Sequence, residues 1–154
     1  MHLGIGRNSN KALEYLRHPK FEVNDTCKFN GQVFLNLAGT GMDAQVAQRT
    51  AQLKHRGLFT YLIDTLRLSM NYKNQEYRVC SDGTRREGKF LSVNIANGSM
   101  FGYNFVVAPY ADVKDGTLQL VLMHNAPKWK YFIHSWRLLN KTIDKAPFVE
   151  ILPV

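Results

Sequence analysis

The dipeptide Asn30-Gly31 stands between two apolar, alternating stretches, and both of its residues tolerate the positive φ that a two-residue hairpin turn requires. A hairpin fixes its strands as antiparallel. On one side Phe21 and Val23 alternate with Glu22 and Asn24, and on the other Val33-Phe34-Leu35-Asn36-Leu37-Ala38 reads as a strand. The pattern recurs at Tyr77 to Cys80, the turn Ser81-Asp82-Gly83-Thr84, and Phe90 to Ala96, where Leu91, Val93 and Ile95 alternate. Further strands are expected at Phe105 to Ala108, at Leu118 to Met123 after the turn Lys114-Asp115-Gly116, and at Phe148 to Leu152.

Between these strands the period changes from two to about 3.6. Lys11 to Arg17 reads as a short helix that Pro19 ends. After Gly39-Thr40-Gly41, Met42, Val46 and Leu53 share one helical face, and a second helix from about Gly57 to Tyr72 sets Leu58, Leu62, Leu66 and Met70 four apart. Lys128 to Asn140 is a basic, aromatic amphipathic helix. Its Trp129, Phe132, Ile133, Trp136 and Leu139/Asn140 positions form one face, which is expected to be core, while Lys128, Lys130, Arg137 and Lys141 lie on the opposite side and ends. A basic helix with two tryptophans also suits a membrane interface. Hairpins with inserted helices, and no βαβ alternation, predict an antiparallel α+β domain whose helices cover one side or end of the sheet.

At 154 residues, 45% apolar and 21% charged, the chain reads as one globular domain over 1–154, small for a self-sufficient two-substrate enzyme. The net charge of +8 favours an anionic partner: nucleic acid, a phosphorylated ligand or an acidic membrane surface. Cys27 and Cys80 match no metal or redox spacing and are read as free thiols in a reducing cytoplasm. The N-terminus lacks the pattern of a signal peptide, and no window reaches the ~18 apolar residues of a membrane span.

Gly39-Thr40-Gly41-Met42-Asp43-Ala44 satisfies the G-x-G-x-x-A pattern of dinucleotide sites. The strand before it belongs to a hairpin instead of a βαβ unit, Asp43 would repel phosphate, and Asp64 lies inside a helix. A tight strand-to-helix turn with Asp43 near the cap is therefore favoured. Asp82-Gly83-Thr84 reads as a solvated turn, and the five histidines show no metal-ligand spacing. In Pro109 to Leu118, two acids three apart beside a glycine turn make an oxygen-rich setting of the kind Mg²⁺ accepts, although the residues taken alone favour a simple turn entering a strand.

Taken in order, Gln32 to Val46, Gly57-Leu58-Phe59-Thr60-Tyr61, Val93-Asn94-Ile95-Ala96-Asn97-Gly98 and Ala108 to Leu118 resemble the C-terminal β-rich domain of the bacterial diacylglycerol kinase and sphingosine-kinase-like lipid kinases. The similarity runs from about Leu3, where His2-Leu3-Gly4-Ile5 is like a family stretch, to the end. It implies a sandwich-like β-rich domain, a lipid substrate and a role in phospholipid metabolism, with transfer of the ATP γ-phosphoryl group to a lipid hydroxyl in the parent protein. It also implies a structural Mg²⁺ site in which Asp115 supplies a carboxylate and Asp112 and Thr117 supply main-chain oxygens.

The chain departs from the family at three places. It contains no Gly-Gly-Asp-Gly-Thr nucleotide loop, so the ATP-binding N-terminal domain is expected to be absent. No Val-Asp-Gly-Glu-like motif, whose acid would activate the lipid hydroxyl, follows Asp115, and Glu150 lacks that context. Phe101-Gly102-Tyr103 stands where many members carry a run of glycines. The expectation is the substrate-side domain of a cytoplasmic lipid kinase, inactive alone and in contact with a peripheral anionic membrane. The alternative is a non-catalytic basic module for an anionic membrane or nucleic acid, but no nucleic-acid recognition signature supports the latter partner.

Overall fold

A computed structural model describes residues 9–19, 21–52, 58–81 and 83–154. The His2-Leu3-Gly4-Ile5 stretch, Leu53, Gly57 and Asp82 lie outside them. The chain runs α1 (Ser9–Arg17), β1 (Cys27–Phe29), β2 (Gln32–Phe34), β3 (Leu37–Gly41), α2 (Met42–Ala51), α3 (Leu58–Asn71), β4 (Gln75–Ser81), β5 (Thr84–Ala96), β6 (Gln119–His124), α4 (Lys128–His134) and β7 (Val149–Pro153), with 3₁₀ turns at Gly102–Asn104, Ser135–Leu138 and Ile143–Lys145. Every strand pairing among the described residues is antiparallel, as the hairpin signals require.

The thirteen-residue β5 organises the main sheet. β4 and then β3 follow one another along one edge, β6 pairs along the other, and β7 adds outside β6. A register shift between Phe90 and Ser92 moves the side-chain phase by one residue. The expected Leu91-Val93-Ile95 face is therefore corrected: Phe90, not Leu91, joins Val93 and Ile95 over Leu120 and Leu122. On the opposite face Ala96 and Val121 pack against Val107 and Ala108. A third cluster of Ile143, Ala146 and Phe148 anchors α4 through Tyr131 and Leu138.

Three expected strands take a different form. Residues 33–38 do not form one strand: the chain bends at Leu35-Asn36, where the Asn36 carbonyl accepts the Asn97 and Gly98 amides and its side chain donates to the Met100 carbonyl. β1 and β2 therefore form a separate hairpin. Its turn has φ +50° at Asn30 and +78° at Gly31, as the dipeptide predicts. Phe21 and Val23 are not in a strand and stand more than nine-tenths exposed, because segment 21–26 is held through Asp25 and not by a partner strand. Val106 to Ala108 is a buried connection with a single bridge from Val106 to Met100. Its amides are satisfied by the Leu138 and Ser99 carbonyls, so an apolar run that reads as a strand meets its hydrogen-bonding needs without a ladder.

The helices also redistribute their faces. Among the described side chains of α3 Leu68 is buried while Leu66 and Met70 are exposed, and Tyr72, just after the helix, is buried too. In α4 and the following 3₁₀ turn, Tyr131, His134 and Leu138 turn inward. Trp129, Phe132, Ile133, Trp136 and Leu139 point outward, and Phe132 is 70% exposed. The face expected to be core is the outer face.

Candidate functional site: an apolar groove beside a half-buried carboxylate

Gly39 and Gly41 bring β3 close over β5 and turn it into α2. A Cβ on Gly39 would fall 1.9 Å from Asn94 Oδ1, and one on Gly41 would fall 2.5 Å from the Leu91 carbonyl, where φ is also +118°. The glycines therefore serve close packing and a sharp turn, in agreement with the strand-to-helix reading of the G-x-G-x-x-A pattern. Gly41 is the N-cap and makes no side-chain cap, so Asp43 sits within the first helical turn instead of at the cap.

The close approach seats Asp43 over β5. Its Oδ1 accepts the Ala44 amide at 3.0 Å and its Oδ2 accepts Asn94 Nδ2 at 2.6 Å; Asn94 also donates to Ser92 Oγ at 3.3 Å. Burial raises the Asp43 pKa, and the hydrogen bonds from Asn94, Ala44 and Ser92 oppose that shift. Tyr72, at the end of α3, is buried, with no hydrogen-bond partner for its hydroxyl among the described residues. Burial first, and then neighbouring Tyr77 and Asp43, push its phenol up to about 12. Tyr77 Oη lies 3.3 Å from Thr40 Oγ1. Asp43, Ser92, Asn94, Tyr72 and Tyr77 thus form a polar cluster at the root of α2.

Beside this cluster lies a groove of about 580 Å³, within the ~300–1,000 Å³ typical of small-ligand sites. Leu66 and Met70 of α3 form one wall, Trp129 and Phe132 of α4 the other, and Met42, Leu91 and Met123 the floor. Lys128 at its rim donates to the Met70 carbonyl and so ties α4 to the C-terminal turn of α3, where the helix dipole favours a cation. Met42 and Leu91 are the chain neighbours of Asp43 and Ser92, so the apolar floor borders the polar cluster. The spacing of Leu66 and Met70 signalled an apolar row in the sequence. The meeting of Asp43 with Asn94, 51 residues later, left no local signal.

The turn at 112–117 lies apart from the groove. Asp112 Oδ1 accepts the Lys114 amide at 3.2 Å and Asp115 Oδ1 accepts the Thr117 amide at 2.9 Å, both in local side-chain turns. Asp25, not anticipated from the sequence, reaches the same turn: its Oδ2 accepts the Gly116 amide and its amide donates to the Val113 carbonyl. Lys114 also pairs with Glu22. Among the described residues no three carboxylate, histidine or cysteine side chains converge to hold an ion. The oxygen-only donor chemistry of the turn fits a hard cation only if backbone carbonyls supply most of the ligands.

Glu150 belongs to a different network. Arg86 donates to its Oε1 at 2.8 and 2.9 Å, and His124 Nε2 lies 2.9 Å from its Oε2. The Arg86 hydrogen bond is the first cause that holds the Glu150 carboxyl below its usual range. Cys27 and Cys80 are both free thiols.

Residues 36–150 match the family described as the YegS C-terminal NAD kinase beta sandwich-like domain. The chain belongs to this family. Among its relatives is a protein of Pseudomonas aeruginosa named "Probable lipid kinase YegS-like", 31% identical over 64% of this chain and 33% of that protein. A protein of the same name from Chromohalobacter salexigens is 29% identical over 99% of this chain and 50% of its own length. A solved structure of a diacylglycerol kinase from Bacillus anthracis str. Sterne superposes with a TM-score of 0.69 at 21% identity, covering 99% of this chain and 50% of that one. This likeness shows the fold. The chain thus spans about half the length or less of these relatives. As a YegS-type C-terminal domain it carries its groove, its Asp43 cluster and its 112–117 turn within the matched residues.

Proposed function

We propose that this domain is the lipid-binding half of a lipid kinase that moves the ATP γ-phosphoryl group to the hydroxyl of diacylglycerol or a related lipid. The observation that carries the reading is the apolar groove whose floor residues Met42 and Leu91 adjoin a polar cluster: hydrocarbon favours the Leu66, Met70 and Phe132 walls, and a hydroxyl headgroup favours the edge nearest Asp43 and Ser92. Phosphoryl transfer rests on positioning and charge neutralisation, so what this half contributes is the placement of the acceptor. The nucleotide would come from a Gly-Gly-Asp-Gly-Thr loop that these 154 residues do not contain, and the chain alone is expected to bind lipid without turnover.

Binding is testable with a short-chain brominated diacylglycerol, which quenches Trp129 when it enters the groove. Filling the groove with Ser69→Trp should weaken saturable binding about tenfold, or ~1.4 kcal/mol. Equal binding by the variant removes the groove from the reading, and turnover of ATP by the 154-residue chain above a heat-killed control removes the division of labour.

The same reading includes a structural Mg²⁺ at the 112–117 turn, with the Asp115 carboxylate and the Asp112 and Thr117 main-chain oxygens as ligands. Its support is the all-oxygen chemistry of a turn already drawn together by Asp25. A bound ion stabilises the folded state by mass action, so Mg²⁺ should raise the Tm of the wild type over a chelator control and leave Asp115→Ala unmoved. An equal rise in both excludes the assignment.

A further inference from the structure

We infer that the outer face of α4 and its 3₁₀ continuation is a docking surface for an anionic phospholipid bilayer, which holds the groove against the leaflet where its lipid resides. The inference rests on the lipid-kinase reading for its purpose, but the observations are separate. Trp129, Phe132, Ile133, Trp136 and Leu139 make one continuous stripe at three-and-four spacing, and all five are about half exposed or more. Each tryptophan has a cation on its ring: Lys130 Nζ lies 5.7 Å from the Trp129 centroid and Arg137 Cζ lies 5.1 Å from that of Trp136. From Asn125 to Ile143 the chain has Lys128, Lys130, Arg137 and Lys141 and no acidic residue.

That combination selects the occupant. A protein partner that covered the stripe would have to desolvate the flanking lysines, which interface centres avoid. A bilayer takes the apolar stripe to the depth of the headgroup boundary, while the lysine and arginine ends reach the lipid phosphates and the indole rings sit between the two. The inward residues Tyr131, His134 and Leu138 hold the helix in place without using this face: Tyr131 Oη accepts the Ala126 amide, donates to the His124 carbonyl and packs edge-on against Phe148. Lys128 is committed to the Met70 carbonyl, so Lys130 and Lys141 are the cations whose reversal tests the surface with least disturbance of the fold.

The experiment is co-sedimentation of the 154-residue chain with phosphatidylcholine vesicles with and without phosphatidylglycerol, at low and at high salt. Binding should require phosphatidylglycerol, weaken with salt, and fall roughly fivefold per reversed cation in Lys130→Glu with Lys141→Glu. Ile133→Ser with Trp136→Ser, both on exposed positions, should abolish sedimentation while circular dichroism and the uptake of short-chain diacylglycerol stay unchanged. Ser69→Trp should do the reverse, losing uptake and keeping sedimentation, so a failure of the groove and a failure of the surface remain distinguishable. Sedimentation that ignores phosphatidylglycerol or both pairs of substitutions overturns the inference. So does a wild-type chain that takes up lipid from solution, does not sediment, and forms a dimer that Ile133→Ser with Trp136→Ser dissolves; the stripe is then an interface between two copies.

Discussion

Strand β6 and helix α4 each carry a row of apolar side chains, yet one row forms the centre of the molecule and the other an exposed stripe. In β6, Leu120, Val121 and Leu122 alternate between two packed layers and are all buried, with Leu122 at 0% exposure. In α4, an apolar and aromatic stripe faces outward, while three inward residues anchor the helix. Periodicity states which side chains share a face. It does not state what that face meets.

The largest effect should come from Leu122→Ala, a deletion at a fully buried site that is expected to cost ~2–5 kcal/mol of unfolding free energy in urea titration. Phe132→Ala removes more atoms but should change stability by less than ~0.5 kcal/mol, since its ring is mostly in solvent in the folded state too. A loss at Phe132 comparable to that at Leu122 would mean that the two regions do not differ as described.

Gly39→Ala sharpens the contrast from the sheet side. Its Cβ would meet the Asn94 side chain and the Val93 carbonyl, so β3 must lift off β5, at ~1–3 kcal/mol by the same titration. A neutral substitution would show that β3 has slack that the close approach denies. On the helical side, Lys128→Met should cost ~0.3–1 kcal/mol through the loss of a cation from the C-terminal turn of α3, seen as a lower midpoint at low salt and a smaller difference at high salt.

The smallest expected effect concerns the charges that the sheet keeps in contact with water. Glu150 has a folded pKa below its usual value, so its pairing contributes stability that is present above about pH 4.5 and lost as pH falls through the lowered folded value. Arg86→Met removes the first cause of that shift. It should flatten the acid limb of a Tm-against-pH curve and leave the slope above pH 6 as in the wild type, whereas an unchanged acid limb assigns the shift to another group.

Much of the fold was legible because turn chemistry is local. Asn30-Gly31 fixed a hairpin, Gly83 at φ +78° fixed the β4–β5 reversal, and the antiparallel class follows from those connections without any long-range knowledge. The resemblance carried by the four ordered segments of the sequence pointed to the family that residues 36–150 match. The candidate site was less legible. Leu66, Met70, Trp129 and Phe132 were visible as apolar rows, the second of them expected to be core, and together they line a groove in the structure. Asp43 read as a near-cap residue, because Asn94 and Tyr72, which give it a role, are brought to it only by the β3–β5 pairing and the return of α3.

By itself, then, the sequence determined the antiparallel hairpins, the helical periods, the positive-φ turns and the basic balance, all of which depend on residues within a few positions of one another or on a simple sum. Only the tertiary structure decided that one shifted residue at Leu91 sends it to the groove and Phe90 to the core, that Asp25 closes the 112–117 turn, and that the aromatic stripe of α4 looks outward. Those outcomes depend on which surface stands opposite each residue. A side chain's neighbours across the core come from distant segments, and the free energy that orients it is that of the assembled layers, not of the local chain.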